Sequence, residues 1–138
     1  LAQNMGKIRG CEREEELLGL EGEAASVYFS VFDELILQQK EFFYFHGRNK
    51  RPPLDNVNAM LSFGYSLLAG MCGSALEAVG LDPYVGFFHT DRPGRMSLAL
   101  DLMEEFRSVM VDRFVLTLIN KKIMKEKYFI HLPRITFC

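Results

Sequence analysis

The chain of 138 residues has few cysteines and little net charge, and both features narrow the classes of function open to it. Its three cysteines, Cys11, Cys72 and Cys138, lie far apart and form no C-x-x-C pair. This spacing argues against a disulfide framework or a zinc knuckle and favours a reducing compartment, so we expect a cytoplasmic protein. The formal net charge of −2 gives no global basic field of the kind that attracts nucleic acid.

Long apolar runs, internal repeats and low-complexity segments are also missing. We expect no membrane span and no signal peptide, because no apolar run approaches the length that crosses a bilayer. Hydrophobic residues make up 49% of the chain and charged residues 25%, which is ordinary for a globular domain of this size. We therefore predict a single domain over residues 1–138. Leu1 is not an initiator residue, which suggests a fragment or a degraded gene product.

Helical patterns dominate the sequence and predict an all-α fold. A first helix is expected over about residues 12–45, and a basic turn with a Pro-Pro pair follows it. Asp55 is a good N-cap for a second helix over about 56–79, whose many small residues predict close backbone packing and the most enclosed position. Ser97 is expected to cap a third long helix over about 97–122.

A carboxylate lies where the first helix should present a core side chain. Glu21 falls within an apolar stripe formed by Ala24, Ala25, Tyr28, Phe32 and Leu35. An ionised carboxylate on a buried face costs several kcal/mol unless it is paired or binds a metal. His89 and Glu104 are candidate partners later in the chain, although a lone histidine is more often a structural side chain. The sequence thus raises the hypothesis of a metal site.

The third predicted helix carries both the second carboxylate of that hypothesis and a long apolar stripe. The stripe consists of Leu98, Leu102, Met103, Phe106, Val109, Met110, Phe114 and Leu118. Asp101 shares a polar strip with Ser108 and Asp112, whereas Glu104 lies at the margin of the stripe and is predicted to face inward. Asp101 is then a supporting acid. A solvated acidic first turn, which the helix dipole favours in any protein, is the plain alternative for these carboxylates.

Together, Glu21, His89 and Glu104 provide two carboxylates and one imidazole. Such an oxygen-rich set suits Mg²⁺ or Mn²⁺ better than a structural zinc, which prefers thiolates. A site of this kind could position a phosphodiester and lower the pKa of a hydroxyl nucleophile. Basic loop residues are candidates for binding the phosphates, although ordinary loop solvation explains them equally well; they are Arg48, Lys50, Arg51, Arg92 and Arg95.

Four segments in order resemble the catalytic helical domain of the CRISPR-associated spacer integrase, the nuclease subunit of the adaptation complex. They are residues 17–29 (LLGLEGEAASVYF), 47–65 (GRNKRPPLDNVNAMLSFGY), 80–89 (GLDPYVGFFH) and 97–107 (SLALDLMEEFR). The resemblance covers most of the chain. It implies the multi-helix catalytic domain of a prokaryotic cytoplasmic protein, without the β-rich N-terminal domain and the C-terminal tail of the family's full chain.

The resemblance also implies a chemistry. Glu21, His89 and Glu104 would bind one Mg²⁺ or Mn²⁺ ion, with Asp101 as the supporting acid. The implied reaction is transesterification, in which the 3′-hydroxyl of a foreign DNA fragment attacks a phosphodiester at the repeat border. DNA, a small ferredoxin-like adaptation subunit and a second copy in a homodimer are the implied partners.

Two other readings stay open. One is a truncated, catalytically inactive helical remnant that acts only as a structural or interaction module, which the missing parts of the family's chain favour. The other is an unrelated helical bundle with an incidental polar core, which the four matching segments disfavour.

Overall fold

The computed structural model describes residues 14–49, 52–86 and 94–129, and within these ranges all regular structure is helical. In chain order, the elements are helix α1 (Glu14–Ser30), a 3₁₀ turn (Phe32–Leu35), helix α2 (Asn56–Ala78), helix α3 (Ser97–Arg107), a π-helical turn (Ser108–Asp112), helix α4 (Arg113–Asn120) and a second 3₁₀ turn (Glu126–Tyr128). The predicted all-α class is confirmed.

The core lies where α2 packs against α3, the π turn and α4, with the segment after α1 closing one side. Its buried apolar side chains are Phe32, Ile36, Phe43 and Phe45 from that segment, Val57, Leu61, Leu68, Cys72 and Leu76 from α2, and Ala99, Met103, Val111, Val115 and Ile119 from the last three elements. Helix α1 stands at the edge of this core, because none of the side chains described between residues 16 and 30 is fully buried.

The prediction of a first helix through residue 45 is wrong beyond the end of α1. The segment buries Phe32, Ile36, Phe43 and Phe45, each at most 3% exposed. At 3.6 residues per turn, a continuous helix would place Phe45 on the face opposite the other three. The backbone instead leaves the helix and reaches a positive φ of 57° at Gln39. Burial of all four aromatic and aliphatic side chains therefore overrides the local helical pattern.

Side-chain hydrogen bonds between this segment and the end of α4 replace its helical hydrogen bonds. Asn120 Oδ1 accepts a hydrogen bond from the Leu37 backbone N–H at 2.8 Å, and Asn120 Nδ2 donates to the Leu35 carbonyl at 2.9 Å. Gln39 Nε2 donates to two carbonyl oxygens at and just beyond the end of α4, both at 3.0 Å. Backbone N–H and C=O groups that leave a helix need other hydrogen-bond partners, and these side chains supply them, which stabilises the loop.

Asp33 anchors the same loop and provides a test of it. Its Oδ1 accepts from the Phe45 N–H at 2.7 Å, and its Oδ2 accepts from Lys40 Nζ at 3.2 Å. Burial alone would raise the pKa of the Asp33 carboxyl, but these donors bring that pKa below its ordinary value of 3.8. Replacing Asp33 by alanine is expected to lower the free energy of unfolding by about 1 kcal/mol near neutral pH, because the Phe45 N–H loses its acceptor.

The pH dependence of this effect follows from the lowered pKa of Asp33. A carboxyl whose pKa is lower in the folded state stabilises the fold above its unfolded pKa, and this stabilisation is lost as the pH falls through the folded pKa. Urea unfolding of the wild type and Asp33→Ala should show the difference shrinking as the pH falls below about 4. Glu34→Ala, at the exposed neighbouring position, is the control. A difference that stays constant into acid would contradict the ionic hydrogen bond.

Helix α2 confirms the prediction at its start and in its packing. Asp55 Oδ1 accepts from the Asn58 N–H at 2.7 Å, as an N-cap should. A Cβ atom added to Gly64 would lie 2.5 Å from Val111 Cγ1, and one added to Gly73 would lie 3.0 Å from the sulfur of Met96. The small residues thus let neighbouring helices approach the α2 backbone closely.

By length and composition alone, α2 is also apolar enough to cross a membrane. This corrects the expectation that no segment is long enough to do so. Core helices pass the same test, and α2 supplies Val57, Leu61, Leu68, Cys72 and Leu76 to the core.

The third helical region is continuous from Ser97 to Asn120, but its start was predicted wrongly. Met96 occupies the cap position without a side-chain hydrogen bond, and Ser97 is the buried first residue of α3. Since Ser97 already lies inside the helix, its hydroxyl cannot take the N-cap position.

The predicted apolar stripe of this region is wrong in its second half. Phe106, Val109, Met110 and Phe114 are each 44–59% exposed, while Val111, Val115 and Ile119 are buried. From Val109 onward, the π turn at Ser108–Asp112 is the reason, because its wider turn rotates the side chains that follow relative to a straight α-helix.

Candidate active site

An open cleft of about 880 Å³ lies where α1, the loop after it, α2 and α3 meet. Helix α1 lines it with small residues such as Gly22, and the loop contributes His46 and Arg48. Helix α3 contributes Glu104 and Arg107. Two of the predicted site residues, Glu104 and Arg48, therefore line the same cleft.

Glu104 forms an ion pair within the cleft. Its Oε2 accepts from Arg107 Nη1 at 2.6 Å, one turn further along α3, and both side chains are only about a quarter exposed, at 26% and 23%. Pairs at this spacing meet on one helix face. A cation that binds Glu104 would thus compete with Arg107 for this oxygen.

Hydrogen bonds to α2 and to the neighbouring backbone hold Arg48 in the cleft wall. Its Nη1 donates to Asn58 Oδ1 and to the Asn49 carbonyl, each at 2.6 Å, and its Nη2 donates to Ser62 Oγ at 3.1 Å. The guanidinium carbon lies 5.3 Å from the centre of the Tyr65 ring. Burial lowers the pKa of Arg48, and among the residues that the structure describes its buried Nε has no hydrogen-bond partner. Few N–H groups of Arg48 remain for a ligand, so its charge would be its main contribution to binding one.

Asp112 lies in the interior close to Arg48, where the sequence predicted a solvated strip. That prediction is wrong, because the π turn brings Val111 and Asp112 into the core side by side, at 6% and 0% exposed. Asp112 Oδ2 accepts from the Tyr28 hydroxyl at 2.9 Å, and its Oδ1 accepts from the Tyr65 hydroxyl. Burial raises the pKa of Asp112 and of both tyrosines.

Glu21 lies in solvent, not on a buried face as predicted. The physical reason is that α1 packs on the core only near its C-terminal end, where the rings of Tyr28 and Phe29 contact Phe32. Glu21 is not among the cleft-lining residues, but its neighbour Gly22 is. Glu21 therefore precedes a cleft-lining residue on the same helix, with its side chain exposed to solvent.

The remaining predicted site residues divide into two groups. Asp101 and Arg95 are partly buried in the described structure. Four others lie outside the described residues, namely His89, Lys50, Arg51 and Arg92.

A divalent metal fits the predicted donors by their chemistry. Glu104 lines the cleft and Glu21 precedes the cleft-lining Gly22, and carboxylate oxygens are the ligands that Mg²⁺ and Mn²⁺ prefer. Within residues 14–49, 52–86 and 94–129, no three His, Cys, Asp or Glu side chains are close enough to hold a metal ion. The three-ligand set, which includes His89, stays a prediction.

Arg107 and His46 are among the polar cleft residues that the sequence did not point to. Arg107 had a usable signal, because it follows Glu104 by three residues on a predicted helix. His46 had none, because its segment was predicted to be the end of a helix; its ring lies 5.1 Å from that of Tyr44 in the loop.

Comparison with known proteins identifies the family. The family model described as CRISPR associated protein Cas1 matches residues 1–136, and the chain belongs to this family. A relative from Leptospira interrogans, named CRISPR-associated endonuclease Cas1, is 51% identical over 137 residues, which are 99% of this chain and 54% of that protein. The chain thus spans about half the length of this relative. The resemblance to the CRISPR spacer integrase is confirmed.

Solved structures share the fold. A casposase bound to an integration product has a TM-score of 0.84 and 37% identity, over 95% of this chain and 37% of that one. A chain of a Cas6-RT-Cas1–Cas2 complex has a TM-score of 0.82 and 30% identity, over 91% of this chain and 13% of that one.

Proposed function

We propose that this domain carries the catalytic site of a metal-dependent DNA endonuclease and integrase that acts in CRISPR spacer acquisition. The observation that carries the proposal is the cleft, in which the Glu104 carboxylate is paired with Arg107 and which the cation of Arg48 also lines. Membership of the Cas1 family supports it, because relatives of this chain are named endonucleases.

Each predicted ligand has a role in this proposal. Glu104 would hold Mg²⁺ or Mn²⁺ from the cleft wall, with Glu21 and His89 completing the set and Asp101 supporting it. The ion, when bound, would supply Lewis acidity that lowers the pKa of a hydroxyl nucleophile and polarises the phosphate. Once Glu104 is occupied by the ion, Arg107 would be released from its ion pair and left facing the same cleft.

The proposed reaction is a phosphodiester exchange. The oxygen of a DNA 3′-hydroxyl gives up its proton and forms a bond to phosphorus, the bond from phosphorus to the old 3′-oxygen breaks, and that oxygen takes up a proton, so that no net proton is consumed. The residues of the cleft would orient the phosphate and offset its growing negative charge, Arg48 from a rigid position and Arg107 from a movable one.

The proposed partners are DNA, a small ferredoxin-like adaptation subunit and a second copy of the full-length protein, in a prokaryotic cytoplasm. Similar proteins support this view, since one is a casposase bound to an integration product and another belongs to a Cas1–Cas2 complex.

Calorimetric titration of Mn²⁺ into the 138-residue chain tests the proposal directly. We expect saturable one-site binding that weakens at least about tenfold in Glu21→Ala, His89→Ala and Glu104→Gln. Glu105→Gln is the matched control, because Glu105 is the exposed neighbour of Glu104 on α3 and should bind like the wild type. Unfolding of the metal-free variants should change little, since a partly exposed ion pair contributes at most about 1 kcal/mol.

Metal binding that is absent, or equal in all four variants, would favour the second candidate function, a helical remnant that acts as an interaction module. A separate observation supports that candidate. Phe63, Leu67 and Met71 follow one face of α2 and are 68%, 55% and 61% exposed, which is unusual for large apolar side chains in a row.

A further inference from the structure

We infer that Asp112 is a positioning residue for the cleft: its buried carboxylate, through the hydroxyls of Tyr28 and Tyr65, holds α1 and the wall containing Arg48 in register with α3. The inference rests on the proposed function where it concerns metal binding. The connection between Asp112 and α1 can be tested without it.

Tyr28 links Asp112 to α1. Tyr28 lies near the C-terminal end of α1, and its hydroxyl donates to Asp112 Oδ2 across 84 positions of sequence. Helix α1 buries no side chain completely between residues 16 and 30, and its apolar packing on the core is through partly buried side chains such as Tyr28 and Phe29. This hydrogen bond therefore adds to the precision with which α1 sits on the third helical region.

Tyr65 links the other oxygen of the Asp112 carboxylate to α2. The Tyr65 hydroxyl donates to Asp112 Oδ1, and the Tyr65 ring faces the guanidinium of Arg48. Arg48 is in turn bonded to Asn58 and Ser62 of α2. One carboxylate thus joins α1, α2 and the loop that carries Arg48.

Burying the Asp112 carboxylate has a cost in free energy. A buried carboxylate is unfavourable unless hydrogen bonds and nearby cations offset its desolvation. Here each oxygen accepts one tyrosine hydroxyl, and the charges of Arg107 and Arg48 act on the carboxylate as well. An apolar residue would pack in the same interior at lower cost, so the carboxylate points to a need for fixed geometry.

The consequence for the cleft follows from the position of α1. The helix carries both Gly22, which lines the cleft, and Glu21, the residue before it, whereas Glu104 stands on α3. Loss of the bond at Tyr28 would let α1 move relative to α3. The two carboxylates would then no longer be held at one separation, and metal affinity would fall although no ligand has been removed.

Hydrogen exchange of the metal-free chain tests the structural link. We expect Asp112→Asn and Tyr28→Phe to speed exchange of the α1 amides about fivefold, and Tyr28→Phe to leave the α2 amides unchanged because it keeps the bond between Tyr65 and Asp112. Tyr28→Phe removes one oxygen and keeps the ring on Phe29 and Phe32, so it serves if Asp112→Asn does not fold. Unchanged exchange in α1, or equal acceleration in every helix, would overturn the inference.

Mn²⁺ titration of the same variants tests the positioning role. Asp112→Asn should bind Mn²⁺ about tenfold more weakly, whereas Ile119→Val, which weakens the core at the end of α4 away from the cleft-lining residues, should bind like the wild type. Equal losses in both variants would show a general effect of stability and overturn the positioning role. If the wild type itself binds no Mn²⁺, the proposed function fails, and hydrogen exchange alone decides whether Asp112 holds α1.

Discussion

Alanine at position 64 is expected to lower the free energy of unfolding by about 1–3 kcal/mol, although alanine is the better helix former. The added Cβ would lie 2.5 Å from Val111 Cγ1, a separation that side chains do not tolerate. Val111 is 6% exposed and sits in the π turn directly before Asp112, so it has little room to retreat. The clash should therefore outweigh the gain in helix propensity.

Gly70 on the same helix is the matched control for this prediction. A Cβ added there meets no atom within 4 Å. Gly70→Ala should therefore stabilise the domain by up to about 1 kcal/mol, and urea unfolding should give effects of opposite sign at the two positions. Val111→Ala added to Gly64→Ala should recover part of the loss. Stabilisation by both alanines would show that α2 and the π turn are not in close contact.

Asn58→Ala is expected to lower the free energy of unfolding by about 2–4 kcal/mol. The Asn58 amide is completely buried, and its Oδ1 accepts from Arg48 Nη1 and from the Asn49 N–H. Its Nδ2 donates to the Gly47 carbonyl at 2.9 Å and to Asp55 Oδ2 at 2.7 Å. Alanine would leave several buried partners unsatisfied at once, and the Arg48 loop would lose its anchor on α2.

Asn56→Ala isolates the effect of losing a single amide on the same helix. Asn56 Nδ2 makes one hydrogen bond, to the Phe42 carbonyl at 3.0 Å, so its loss should cost about 1 kcal/mol. Urea unfolding of both variants compares them. Equal losses at the two positions would mean that the network around Asn58 adds nothing beyond one hydrogen bond.

Local signals predicted the middle of the chain well. The Asp55 cap, the start of α2 and the turn at Gly80, with its φ of 80°, all follow from residues within a few positions of each other. The prediction of a helix in the segment after α1 was wrong for the opposite reason. Its loop depends on Asn120 and on Phe45 burial, and neither lies within reach of a local pattern.

The candidate site was predictable in part. Glu104 was expected to face inward and does line the cleft, and Arg48 lines it too. Glu21 was expected on a buried face and is exposed, because a helical wheel cannot tell how much of a helix reaches the core. The predicted position of Asp112 was wrong because a π turn shifts the register of the helix. The spacing of apolar residues in the sequence does not reveal this shift.

The sequence by itself determined the helical class, the beginning of α2, the end of α2 and the family, because caps, helix breakers and motif residues act through their immediate neighbours. Only the tertiary structure decided that Asp112 turns inward to Tyr28 and Tyr65, and that Arg48 is bonded to Asn58 instead of facing solvent. These arrangements join residues from distant parts of the chain, and their free energy exists only when the packed core has removed the water that would otherwise satisfy each polar group.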